Sequence, residues 1–212
     1  EIQSQSRIDE IVVTAEFNNT DAYSISSSIS VIGENDISKR NANHLEDLLF
    51  IAPNVNYSSG ASRGKFYQIR GIGERSEFTE PVNYSVGVII DGIDFTGIAL
   101  GASTFDVKQI EVLRGPQGTL YGANALAGLI NIVSNDPTED FYSEISGSIS
   151  EFGGKDFGII ISNSNENNFG YRLGFKNSKS DGFVKNVFLN RNDTNDIDET
   201  ISRAKFTKNN DT

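Results

Sequence analysis

LRGPQGTLYGANALAGLINIV, Leu113 to Val133, is the stretch on which the fold turns. An apolar run of strand length, Ile110 to Leu113, enters it, and a second, Leu129 to Val133, leaves it. Between them lie a Gly-Pro turn at Gly115-Pro116 and three further glycines, Gly118, Gly122 and Gly128. A phosphate-binding loop needs Gly-x-x-x-x-Gly-Lys-Ser/Thr, and no Lys follows these glycines; the dinucleotide spacing Gly-x-Gly-x-x-Gly is missing as well. The stretch therefore reads as two strands joined by a tightly turned, close-packed segment and not as a nucleotide cradle.

Upstream, strand and helix signals mix. Ile25, Ser27, Ile29 and Val31 alternate with Ser26, Ser28 and Ser30, as in a strand with one buried face that Gly33 ends. Two short helices are expected next, the second with Asn43 as N-cap, Glu46 as its capping-box partner, Leu45, Leu48 and Leu49 as its apolar face, and Pro53 beyond its end. Val86 to Ile90 runs into Asp91-Gly92, a dipeptide that tolerates the positive φ of a tight hairpin, and Ile93 to Phe95 returns. Residues 20–137 thus read as an α+β domain, a small mixed sheet with short helices. Residues 1–19 are polar apart from Ile11-Val12-Val13 and read as a mobile arm.

After Pro137 the texture changes. Ile145, Gly147 and Ile149 form one apolar-facing row, and Phe157, Ile159 and Ile161 a second. Phe169, Tyr171, Leu173 and Phe175 oppose Gly170, Arg172, Gly174 and Lys176, while Ala204 and Phe206 oppose Arg203 and Lys205. These four runs, in residues 138–212, match the apolar-out, polar-in alternation of barrel strands that cross a bilayer in about 9–11 residues. Phe152 to Asp156 and Asn165 to Asn168 are short links; Asn177 to Glu199 is a long polar loop. If the preceding domain is periplasmic, the first link and the long loop face outward, as outer-membrane barrels place their longer loops.

Composition removes several function classes. The chain has no Cys or Met and one His, so thiolate chemistry and soft-ligand metal sites are excluded. His44, alone among helix residues, is expected to be structural, and no nucleophile–base constellation or metal-ligand spacing suggests an enzyme, a resident metal or a cofactor. With 18 Lys plus Arg against 29 Asp plus Glu, the net charge of −11 opposes nucleic-acid binding. No apolar stretch approaches the ~18 residues of a membrane helix, and the first residues show no basic stretch followed by an apolar one, so the N-terminus is expected to be already processed.

Several motifs together resemble one family. Leu113 to Val133, with Gln68-Ile69-Arg70-Gly71, Ile90-Asp91-Gly92 and Asp106 to Arg114, is similar to the plug domain of TonB-dependent outer-membrane receptors. Asp9-Glu10-Ile11-Val12-Val13-Thr14-Ala15 resembles the TonB box ahead of that plug. Ser180-Asp181-Gly182-Phe183 and Ser202 to Phe206 resemble early barrel strands of the same receptors.

The resemblance implies an energy-coupled importer in the outer membrane of a Gram-negative bacterium, with its N-terminus periplasmic. A TonB-type transducer would contact Asp9 to Ala15, whose alternating acidic and β-branched residues suit strand addition to a partner's sheet edge. Arg70 and Arg114 would meet carboxylates of the barrel wall; read without the resemblance, they close turns. Outward plug loops, Tyr57 to Tyr67 and Phe95 to Thr104, would meet substrate, with Arg63, Lys65, Phe66, Tyr67, Phe95 and Thr96 as candidates for an anionic, aromatic metal chelate; read alone, they are ordinary loop residues. An iron–siderophore complex is the expected substrate on family frequency, ahead of cobalamin, haem or a glycan. Four strands cannot close a barrel that needs about eight at least, so the expected parent is longer; the alternative is a stand-alone periplasmic module that holds the transducer without transporting.

Overall fold

The computed structural model describes residues 12–14, 20–21, 28–59, 63–76, 83–98, 102–118, 122–165 and 169–208. The chain divides into two compact units, 1–134 and 135–212.

The first unit opens with β1 (Val12–Val13) and β2 (Thr20–Asp21), which pair antiparallel. β3 (Ser28–Gly33) follows, then α1 (Glu34–Lys39) and two 3-10 turns, Leu45–Asp47 and Leu49–Ile51. β4 (Val55–Ser59) and β5 (Gly64–Ile69) make a hairpin of their own. β6 (Val86–Ile90), β7 (Ile93–Asp94), β8 (Val107–Arg114) and β9 (Gly128–Ser134) join β3 in a five-stranded sheet of order β3-β8-β9-β6-β7. Only β6 and β9 run parallel in it. Asp91 and Gly92 take φ +48 and +82, the left-handed turn that their sequence allows.

One face of this sheet supplies Ile32, Val86, Val88, Ile90, Ile110, Val112, Ile130 and Ile132 to a core closed by Ile37, Leu45, Leu48, Leu49 and Ala52. Each fully buried aliphatic side chain contributes about 1.5–3 kcal/mol, and Leu45, Leu48 and Leu49, on and between the two 3-10 turns, cover much of that face. The second face carries a smaller cluster, Val13, Ile89, Leu113, Ala125 and Leu129, flanked by Ile29 and Val31. Gly87 makes room there, because a Cβ on it would lie 2.9 Å from Leu129 Cδ1 and 3.2 Å from Ala125 Cβ.

The sequence places the capping box one residue early. His44, and not Asn43, is the N-cap, and the Asp47 carboxylate accepts from the N–H groups of both His44 and Asn43 at 3.1 Å. Glu46 is used elsewhere, and the expected helix is two 3-10 turns. His44 is fully buried and bridges Ser103.

The second unit is a four-stranded antiparallel sheet of β10 (Tyr142–Ile149), β11 (Lys155–Ser164), β12 (Phe169–Ser180) and β15 (Ile197–Lys208). Between β12 and β15 stands a small hairpin, β13 (Val184–Asn186) with β14 (Arg191–Thr194), so part of the expected long loop is itself strand. The register aligns Ile145 with Ile159, Ile159 with Phe175, Ile161 with Leu173 and Tyr171 with Phe206. The apolar rows read from the sequence thereby merge into one exposed face, with Phe169 stacked on Phe206 at 6.2 Å between centroids. On the polar side, the segment entering the sheet is pinned by Asp136 to Lys205 at 2.8 Å and by the Thr138 N–H to Ser162 Oγ at 2.9 Å. No helix among the described residues is long and apolar enough to cross a membrane, a statement that leaves barrel strands untouched.

Leu48→Ala, which empties a fully buried site, is expected to cost about 2–5 kcal/mol. Leu126→Ala, at a side chain 67% exposed, should stay within about 0.5 kcal/mol. Amide exchange of β8 and β9 in the full-length protein measures both.

Candidate functional site

The second face of the five-stranded sheet is where chain order and geometry converge. Glu111 of β8 and Asn131 of β9 are register partners across the antiparallel pair. Each interrupts an apolar run, and each is buried, Glu111 with 0% and Asn131 with 5% exposure. A carboxylate in a central strand is costly to desolvate unless donors surround it. Here Glu111 Oε1 accepts from the Thr14 N–H at 2.9 Å, from Thr14 Oγ1 at 3.0 Å and from Gln109 Nε2 at 2.5 Å. Its Oε2 accepts from Asn131 Nδ2 at 3.0 Å, which also reaches Thr14 Oγ1 at 3.3 Å.

Two of the donors to that carboxylate belong to the segment expected to be a mobile arm. Val13 is fully buried on Ile89, Leu113, Ala125 and Leu129, and the backbone of Val12 and Val13 pairs with Asp21 and Thr20. Residues 12–14 are therefore docked, and the expectation of a mobile arm fails for them. Apolar burial seats Val13, and the buried carboxylate seats Thr14. Asp9, Glu10, Ile11 and Ala15 lie outside the described residues.

Arg70 and Arg114 stand at the ends of β5 and β8. Arg70 is exposed with φ +55, in the turn before Gly71. Arg114 is 7% exposed; its Nε donates to Pro53 O at 2.9 Å and its Nη2 to Ser30 Oγ at 2.7 Å. Burial and, after it, the charge of Arg70 hold the Arg114 pKa below the usual arginine range. The two cations are thus near enough to repel, which favours an anionic group between them.

The expected substrate loops are more structural than their sequence implies. Arg63 pairs with Glu46 at 3.2 Å, and the same carboxylate accepts from the Gly64 N–H at 2.6 Å. Phe66 and Tyr67 are 2% and 4% exposed, so these rings do not face outward as a chelate contact requires. Tyr67 donates to Gly64 O at 2.9 Å, and burial, reinforced by the charge of Glu46, pushes its pKa well above the ordinary phenol value. Lys65 lies 5.1 Å over the Phe66 ring. Phe95 packs against the main core, and Thr96 Oγ1 accepts from the Val88 N–H at 3.0 Å. Among the described residues no group of His, Cys, Asp and Glu could hold a metal ion.

Sequence reasoning missed Glu111 and Asn131, and it gave Glu46 to the capping box when the structure gives it to Arg63 and Gly64. The signal for the first two is a charged and an amide residue inside the apolar runs Ile110 to Leu113 and Leu129 to Val133, since such residues are rarely buried unpaired. Glu46 carries no such signal, because its partners are supplied by a hairpin 17 and 18 residues away.

The profile of the family described as "TonB-dependent Receptor Plug Domain" matches residues 21–129, more than half of the chain, and the chain belongs to that family. It is 30% identical over 149 residues to the pesticin receptor of Yersinia pestis, covering 69% of this chain and 22% of the relative. It is 34% identical over 122 residues to the catecholate siderophore receptor Fiu of Escherichia coli, covering 58% of this chain and 15% of the relative. Its fold matches that of the ferric yersiniabactin uptake receptor FyuA of Yersinia pestis with a TM-score of 0.74, at 23% identity, over 85% of this chain and 28% of the other. The chain thus spans about a fifth of the length of the curated relatives it matches. These relatives are receptors and not enzymes.

Removing the Glu46 carboxylate leaves the Gly64 N–H and Arg63 without their acceptor. Glu46→Ala is expected to loosen the β4–β5 hairpin by about 1–3 kcal/mol, read as faster amide exchange at Gly64 to Ile69 with β8 and β9 unchanged.

Proposed function

We propose that the chain is the plug and leading strands of a receptor that imports a scarce nutrient across the outer membrane with energy delivered through Asp9 to Ala15. The observation that supports it most directly is the seating of Val13 and Thr14 on β8 and β9, the strands that enter and leave the Leu113 to Val133 segment. A pull on this segment loads that strand pair first, because the carboxylate holding Thr14 belongs to β8 and the amide beside it to β9. Strand addition to a transducer's sheet edge is the mode of contact, since the segment already has β geometry and offers β-branched side chains.

Arg70 and Arg114 are proposed as the plug's contacts with wall carboxylates, a pairing that the repulsion between them favours. An iron–siderophore complex is the proposed substrate; the 34% identity to a catecholate siderophore receptor supports it. With Phe66 and Tyr67 buried, Lys65 is the member of the first loop best suited to an anionic chelate, by charge and by its place beside an aromatic ring.

Val12→Pro removes a backbone donor from any added strand. In the full-length receptor it should abolish energy-dependent uptake while substrate binding at the cell surface persists. Continued uptake would remove Asp9 to Ala15 from the energy path. Titrating the purified receptor with ferric catecholates and with cobalamin tests the substrate, and binding of cobalamin alone would overturn the siderophore assignment.

A further inference from the structure

We infer that Asp136-Pro137-Thr138 is a strap that fastens the connection between the two units across β15, β12 and β11, and so keeps tension on the first unit from peeling β10 off the second. It rests on the reading of the chain as a receptor worked by a pull, and adds where that pull ends. All three residues belong to the second unit, which begins at Asn135.

Each strap residue meets a different strand of the four-stranded sheet, in order from β15 towards β10. Asp136 pairs with Lys205 of β15 at 2.8 Å. Pro137 lies over Gly170 of β12, where a Cβ would stand 2.7 Å from the Pro137 Cβ. Ser162 Oγ of β11 accepts from the Thr138 N–H at 2.9 Å and lies 3.0 Å from Thr138 Oγ1. Lys205 and Ser162 are both register partners of Arg172, and Gly170 is two residues from Arg172 on the same strand, so all three contacts fall on the polar face. The sequence suits an extended crossing, because Pro137 fixes its own φ and biases Asp136 away from helical backbone.

Charge and burial show what the strap does for the sheet. Lys205 stands directly opposite Arg172 in the β12–β15 register, where like charges repel. Arg172 lies over the Tyr142 ring at 5.4 Å and Lys205 takes Asp136, so a strap lifted away deprives this pair of a carboxylate. That ion pair is half open to water and contributes little by itself. The bond to Ser162, which has no exposure, and the fit of Pro137 on Gly170 carry most of the hold.

Among the described residues β10 pairs with β11 alone. A pull arriving at Tyr142 would open that ladder one pair at a time, from Tyr142 and Ser162 onward. The strap meets the pull first, and its anchors lie on β11, β12 and β15, which are joined to one another along their length.

The test holds the full-length receptor in a phospholipid nanodisc and pulls it by a handle on its N-terminus. Asp136 and Tyr142 are six residues apart, about 20 Å of extended chain. Wild type should therefore show a force peak about 20 Å ahead of the release of β10. Ser162→Ala should lower that peak and, without load, speed exchange of the Thr138 amide about tenfold, the effect of losing roughly one hydrogen bond, while β11 and β12 keep their protection. A wild-type trace with no peak ahead of β10 overturns the strap. So does a peak that Ser162→Ala leaves unchanged, or wild-type exchange at Thr138 in that variant.

Gly170→Ala guards against a folding defect in Ser162→Ala. Its Cβ would also approach the Thr207 and Ser164 hydroxyls, which can turn away, whereas the Pro137 ring cannot. It should lower the same peak, and an unchanged peak overturns the crossing over β12. The handle needs no transducer, so failure of the Asp9 to Ala15 reading, seen as uptake that survives Val12→Pro, is distinguishable from failure of the strap.

Discussion

The antiparallel pairing of β8 with β9 is the constraint from which the first unit is built. Its register sets Val112 against Ile130 and Ile110 against Ile132 on one side, and Leu113 against Leu129 and Glu111 against Asn131 on the other. Because side chains alternate, a slip of one residue would send the isoleucines to the second face and bring a carboxylate under the leucine-bearing turns. The register is therefore held from both faces at once. β3 adds to one edge of the pair and β6 to the other, and α1 with the two 3-10 turns closes the larger core. The glycine-rich segment between the two strands turns the chain without disturbing that register; the Gly115 N–H donates to Ala127 O and the Gln117 N–H to Ala125 O.

Elements governed by local pattern were legible in the sequence. The Asp91-Gly92 hairpin, the apolar cores of β6, β8 and β9 and the alternating strands after Pro137 fall where periodicity and turn chemistry put them. Elements governed by distant partners were not. The capping box shifted by one residue because Glu46, which fits it by spacing, is drawn off to Arg63 and Gly64. Phe66 and Tyr67 lie in a segment polar enough to read as a loop, yet β5 turns them into the interior. The docking of residues 12–14 was illegible because its acceptor, Glu111, lies 97 residues from Thr14.

The second unit obeys the opposite solvent logic. Phe169, Leu173, Phe175 and Phe206 remain 38–61% exposed on one face, where a water-soluble sheet would place polar groups. Gly170, Arg172 and Gly174 occupy the other. The long strands support the same reading, since β12 and β15 each have 12 residues, enough to cross a bilayer at the tilt of a barrel. Among the described residues β10 and β15 are each paired on one side, so the sheet as it stands has open edges. Edges of that kind are untenable in lipid, and further strands are what a membrane-resident form of this sheet requires.

The contrast between the two ways residues 12–14 are held bears on how force would pass through the plug. Val13 is retained by apolar contact, which is insensitive to direction and fades smoothly as surface is exposed. Thr14 is retained by hydrogen bonds to a buried acceptor, which weaken steeply with distance and angle. A pull along residues 12–14 would therefore break the bonds of Thr14 to Glu111 more abruptly than the apolar contacts of Val13. The β1–β2 pair spans two residues, whereas seven register pairs join β8 to β9. The segment consequently leaves the sheet before the sheet itself yields, and its departure strips Glu111 of two donors while Gln109 and Asn131 still hold the side chain between the strands. A carboxylate left in that state would favour either the return of Thr14 or the entry of water in its place.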